Sequence, residues 1–99
     1  MKKESSQLYD LAIIGAGIVG LAAGVYAGRM NLKTIIFGNE KGGTLAKTHI
    51  VENYPGFISL SGPELMKKIE DHAKEYIKDI KMNEVKEITK ENNNFLIKT

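Results

Sequence analysis

The segment GAGIVG, Gly15 to Gly20, constrains this chain more than any other. It stands directly between the apolar, β-branched run LYDLAII and the alanine-rich run IVGLAAGVYAGRM. A strand buried on both faces, as in a parallel sheet, reads as a short apolar run of the first kind. The second run, Ile18 to Met30, is apolar almost all round, which predicts a helix buried over much of its surface. Gly24 and Gly28, four apart, should let a neighbouring backbone come close. KTIIFG then supplies a second strand, closing a strand, helix, strand unit of about 30 residues whose strands are parallel neighbours.

In that setting GxGxxG has a physical meaning. Gly15 permits the tight turn, Gly17 lets a phosphate approach the backbone, and Gly20 lets the helix pack closely on the strand. The amides opening the helix face outward, where unpaired donors and the helix dipole favour an anion. The spacing therefore points to a dinucleotide. A carboxylate for the ribose is expected about 20 residues on, at the end of the second strand. Gly38 occupies that end, and the nearest acid is Glu40. Either Glu40 takes the role from a shifted loop, or main-chain groups of GNEKGG do. The second glycine turn, Lys41 to Gly43, suggests a ligand longer than a mononucleotide.

From Asn39 to Leu60 the pattern is irregular, a long excursion of the kind that usually carries function. A helix follows in SGPELMKKIEDHAKEYI. Ser61 is its expected N-cap, Pro63 lies near the first position, and Glu64 completes a capping box. Leu65, Ile69, Ala73, Tyr76 and Ile77 share one face, with Glu64 to Lys68 and Glu70 to Lys74 as supporting pairs on the wet side. After Asp79 the alternation predicts short strands, with a hairpin at Asn92 to Asn94.

Composition excludes several other functions. With 99 residues there is one domain at most, burying roughly 60 to 65% of its unfolded surface. A net charge of +2 with dispersed lysines argues against nucleic acid. Glycines interrupt the most apolar stretch, Leu11 to Ala27, which argues against a membrane span, and MKKESSQ leads into no signal peptide, so the expected compartment is the cytoplasm. The absence of cysteine excludes disulfides, a thiolate nucleophile and thiolate metal ligands. His49, in the long loop, has no partner carboxylate at useful spacing, and His72, on the Leu65, Ile69 and Tyr76 side of the helix, reads as a boundary packing residue. Tyr54, before Pro55, reads as a loop anchor. No catalytic residue and no metal ligand is assigned.

Four segments in order, YDLAIIGAGIVGLAAGVYAGR, NEKGGTL, VENYPGF and SGPELM, resemble the FAD-binding half of bacterial-type thioredoxin reductases. The likeness runs from Leu8 to about Ile88. It implies an α/β, Rossmann-like FAD/NAD(P)-binding fold, a parallel sheet with a small antiparallel hairpin, incomplete and comprising its N-terminal part only. Residues 1–7 would be a tail and residues 8–99 the portion of the domain. The resemblance also implies that Gly15, Ala16, Gly17 and Gly20 hold the FAD pyrophosphate. Glu40, Lys41, Gly42 and Gly43 would contact the adenosine and ribityl portions, Asn53 would lie near the flavin, and Val85 would meet adenine through its main chain. Ile18 and Val19 stand where the family commonly has proline and alanine, and Thr44 replaces its usual glutamine.

The same resemblance implies what a reductase of this kind needs beyond residue 99: an NADPH domain, a CxxC pair and a returning segment that completes the FAD fold. The chain is thus expected to be a part of a flavoenzyme that passes electrons from NADPH through FAD to a disulfide, usually in thioredoxin, and to be catalytically incomplete alone. Its expected partners are the missing C-terminal segments, or further copies of itself through exposed strand edges and apolar surface. The alternatives are a ferredoxin-NADP reductase-type flavoenzyme without CxxC, and a noncatalytic nucleotide-binding or partner-binding module.

Overall fold

The computed structural model describes residues 7–39 and 47–99. Strand β1 (Leu11–Ile14) leads through the glycine turn into helix α1 (Ile18–Arg29), which returns to strand β2 (Thr34–Phe37). Helix α2 (Gly62–Lys74) precedes strand β3 (Asp79–Lys81), and strands β4 (Glu87–Glu91) and β5 (Asn94–Lys98) form a separate hairpin. The first sheet is parallel, ordered β1-β2-β3, with Ile13 opposite Ile36 and Ile36 opposite Ile80. The expected strand, helix, strand unit and the hairpin are both present.

β2 is the central strand, and all four of its residues are buried. Ile36 anchors the core with Leu21 of α1, Met66 and Ala73 of α2, Ala16 and Ile77. α1 and α2 pack against one another, and α1's Gly24 and Gly28 meet β2 and the segment that follows α2. A Cβ on Gly24 would lie 2.9 Å from Ile36 Cδ1, and one on Gly28 would collide with Tyr76. The glycine side of α1 is therefore its packed side, as its spacing suggested.

Two expectations about burial are corrected. β1 is not buried on both faces: Leu11 and Ile14 are exposed, because β1 is an edge of the sheet formed by the described residues. α1 also presents Val19 at 80% and Tyr26 at 67% exposure, so its apolar circumference is covered on one side only. Neither helix in the described residues is long and apolar enough to cross a membrane.

The helix ends follow from their sequences. α1 stops in a Schellman arrangement: Asn31, at φ 61°, donates its N–H to the Gly28 carbonyl, and Leu32 donates to Ala27. α2 starts with a complete capping box, in which Glu64 N–H donates to Ser61 Oγ (3.1 Å) and Ser61 N–H donates to Glu64 Oε1 (2.9 Å). The Ser61 backbone bond holds the Glu64 carboxyl below its usual range, with Lys68 contributing as a nearby charge. Glu70 and Lys74 pair at 3.4 Å as expected, and Lys67 with Asp71 adds a pair the sequence reading had not named.

Candidate functional site

The three parallel strands deliver their C-terminal ends to one edge, where ligands of open α/β sheets bind. Main-chain hydrogen bonds continue the ladder past the strands and tie these ends together. Gly15 N–H donates to the Phe37 carbonyl (2.6 Å), and Gly38 N–H donates to the Lys81 carbonyl (2.9 Å). The turns after β1, β2 and β3 consequently border one cleft of about 250 Å³, lined by Ile14, Gly15, Phe37, Gly38, Asn39, Asn83, Glu84 and Val85.

Each glycine of GxGxxG has a distinct local reason. Gly15 has φ +124°, a conformation that side-chain-bearing residues rarely adopt. A Cβ on Gly20 would strike the Gly15 carbonyl oxygen, so only glycine lets α1 start this close to β1. Gly17 differs from both: its φ is −81° and none of the described residues lies within 4 Å of where a Cβ would stand. The fold does not require glycine there, and the vacant space faces the start of α1.

That start lacks the usual protein cap. Gly17 is the N-cap and has no side chain to accept from the helix, and the first turn holds no acid. The first intrahelical bond runs from Leu21 N–H to the Gly17 carbonyl (3.0 Å), leaving the amides of Ile18, Val19 and Gly20 without a partner inside α1. Donors and dipole thus converge on an open surface suited to an anion.

The structure also explains the missing carboxylate at the end of β2. A Cβ on Gly38 would collide with Ala16 Cβ, so the glycine turn and the end of β2 pack too tightly for any side chain at position 38. Ala16 is itself buried, which makes it a packing residue behind the turn, with its backbone left to face a ligand.

The candidate residues from the sequence divide accordingly. Gly15 and Val85 border the same cleft, and Gly17 and Gly20 form the start of α1 beside it. Glu40, Lys41, Gly42 and Gly43 lie outside the described residues. Asn53 is exposed in a separate loop and does not line the cleft. That loop is closed by a two-residue bridge, with Val51 N–H donating to the Leu60 carbonyl (2.7 Å) and Leu60 N–H returning to Val51 (3.1 Å). Its tip turns at Pro55-Gly56, where Gly56 has φ 101° and Phe57 N–H donates to the Tyr54 carbonyl. Tyr54 packs on Phe57, with ring centroids 6.2 Å apart, consistent with a loop anchor. His72 lies 6.0 Å from the Tyr76 ring, and His49 is exposed.

Sequence reading missed Asn83 and Glu84, whereas Asn39 belongs to the GNEKGG loop it had singled out. The only signal for Asn83 and Glu84 is position, within three residues of the end of β3, which reads as a short strand but not as a parallel neighbour of β2.

No family model matches the chain. Curated relatives do: thioredoxin reductase of Bacillus subtilis is 45% identical over 83 residues, which cover 83% of this chain and 26% of that protein. Among solved structures, thioredoxin reductase of T. acidophilum superposes with a TM-score of 0.85 at 39% identity, covering 91% of this chain and 30% of that one. A ferredoxin-flavin thioredoxin reductase from Clostridium acetobutylicum superposes with a TM-score of 0.84 at 34% identity, over 94% of this chain and 33% of that one. The chain thus spans between a quarter and a third of these three proteins. It has a Rossmann-like α/β fold and is a homologue of part of the thioredoxin reductases, consistent with their N-terminal portion.

Proposed function

We propose that this chain is the flavin-holding part of a thioredoxin reductase-like oxidoreductase, binding FAD by its ADP portion. The observation that carries the reading is the open, uncapped start of α1 at Gly17, set beside a cleft at the C-terminal ends of three parallel strands. The residues fit the cofactor. Amides of Ile18, Val19 and Gly20 would face the pyrophosphate, and apolar Ile14, Phe37 and Val85 would border the adenosine. Glu40, Lys41, Gly42, Gly43 and Asn53 are proposed further contacts through the resemblance alone.

Bound FAD would supply two-electron redox chemistry that no side chain of this chain can perform. The chain's own contribution is to bind and orient: the α1 dipole stabilises the pyrophosphate, and packing of Gly20 and Gly38 holds the two neighbouring turns in register. Transfer of electrons from NADPH to a disulfide, in thioredoxin, would need the remaining two thirds to three quarters of such a reductase, and the cytoplasm is the proposed compartment. The exposed edge of β1 and the exposed side of α1, with Leu11, Ile14, Val19 and Tyr26, offer apolar surface for those segments or for another copy. The likeness to a ferredoxin-flavin enzyme favours a second reading of the donor, ferredoxin in place of NADPH.

Calorimetric titration of the chain with FAD, and with ADP as a second ligand, tests this. Saturable binding of both is expected, with binding lost in Gly17→Val. Equal affinity of wild type and variant would refute it.

A further inference from the structure

Resting on that dinucleotide reading, we infer that Glu84 sets the nucleotide specificity of the cleft, excluding adenine nucleotides that carry a 2′-phosphate. Dinucleotide sites of this architecture place a carboxylate near the ribose, from the end of the second strand. Here the packing of Gly38 on Ala16 forbids a side chain at that point. A carboxylate for the ribose would then have to come from another position.

The turn after β3 provides one. β3 lies beside β2, and Lys81, its last residue, accepts the Gly38 N–H at 2.9 Å. Three residues later Glu84 borders the cleft, next to Val85, and it is the one charged residue among the described residues of the lining. Its other polar neighbours there, Asn39 and Asn83, are neutral amides. No ion pair engages Glu84 among the described residues. The cleft consequently has donors at one side, where α1 begins, and an acceptor carboxylate among its other lining residues.

Such a carboxylate accepts hydrogen bonds from ribose hydroxyls or from the adenine amino group and repels a phosphate. At separations of several Å near a protein surface, one such repulsion changes affinity by about tenfold.

The test uses a matched pair, ADP-ribose and 2′-phospho-ADP-ribose, titrated calorimetrically into wild type, Glu84→Gln, Glu84→Lys and Glu40→Gln. The wild type should prefer ADP-ribose by about tenfold. Glu84→Gln should narrow the ratio to about threefold or less, and Glu84→Lys should invert it, since a lysine attracts the phosphate. The inference is overturned if the wild type binds both ligands equally, if the ratio is the same in both Glu84 variants, or if only Glu40→Gln narrows it. Failure of a folded wild type to bind either ligand would instead overturn the dinucleotide reading, and the inference with it.

Discussion

Gly20→Ala and Gly17→Ala separate the two jobs of the glycine motif. At Gly20 an added Cβ would meet the Gly15 carbonyl oxygen, with the carbonyl carbon at 2.9 Å and Ile13 Cγ2 at 3.4 Å. The carbonyl belongs to a constrained turn. Gly15 is held by its own hydrogen bond to Phe37 and sits at φ +124°. The start of α1 must therefore lift from the sheet, loosening Leu21 and Ile36, each almost fully buried. Overpacking of this kind costs about 3 kcal/mol, offset by about 0.5 to 1 kcal/mol from the reduced freedom of the unfolded chain. The net loss of about 2 to 2.5 kcal/mol corresponds to a fall in Tm of about 10 to 20 °C for a chain of this size. Gly17→Ala adds a methyl to open space, and its loss of the N-cap preference of glycine, about 0.5 kcal/mol, is offset by a similar gain from the reduced freedom of the unfolded chain. Thermal unfolding followed by far-UV circular dichroism would show the difference. Equal losses in the two variants would refute the assignment of Gly20 to the fold and Gly17 to the ligand.

Asn31→Gly should raise stability by about 0.5 to 1 kcal/mol, because Asn31 holds the left-handed position of the Schellman end of α1; denaturant unfolding checks the sign. Ser61→Ala removes an acceptor from the capping box of α2 and should lower stability by about 1 kcal/mol in the same assay. Tyr9 donates to Asp79 Oδ2 at 2.6 Å, and that bond raises its pKa to about 12, with burial and the nearby carboxylate charge adding to the effect. A folded-state pKa raised above the unfolded value favours the protonated form, so this contribution is complete below pH 10 and lost between about pH 10 and 12. Tyr9→Phe should abolish that part of the alkaline decline in stability, measured by denaturant unfolding across the interval.

How far the sequence revealed this molecule depended on whether a residue's role was local. The Ser61 and Glu64 cap, the Asn92 turn at φ 57°, and the β1-α1-β2 unit are encoded within a few residues of one another and were legible. β3 was readable as a short strand but not as a third parallel neighbour of β2, because Asp79-Ile80-Lys81 carries too few apolar residues to mark a buried strand. Exposure of β1 and α1 was missed for a related reason. Leu11, Ile14, Val19 and Tyr26 record what these elements are able to pack against, and the described residues cover one side only. At the site, the glycine turn declared itself, whereas the link between Gly38 and Ala16, and the arrival of Glu84 from a distant turn, depend on tertiary packing.

The central claim is that a nucleotide pyrophosphate sits on the start of α1 and its adenosine in the adjoining cleft. Amide resonances of the 15N-labelled chain, followed through a titration with ADP, test this residue by residue. The account predicts saturable shifts concentrated at Gly15, Gly17, Ile18, Val19 and Gly20, with a second group at Asn83 to Val85, while the β4-β5 hairpin stays unchanged. Shifts absent from the glycine turn, or strongest on the hairpin, would contradict it.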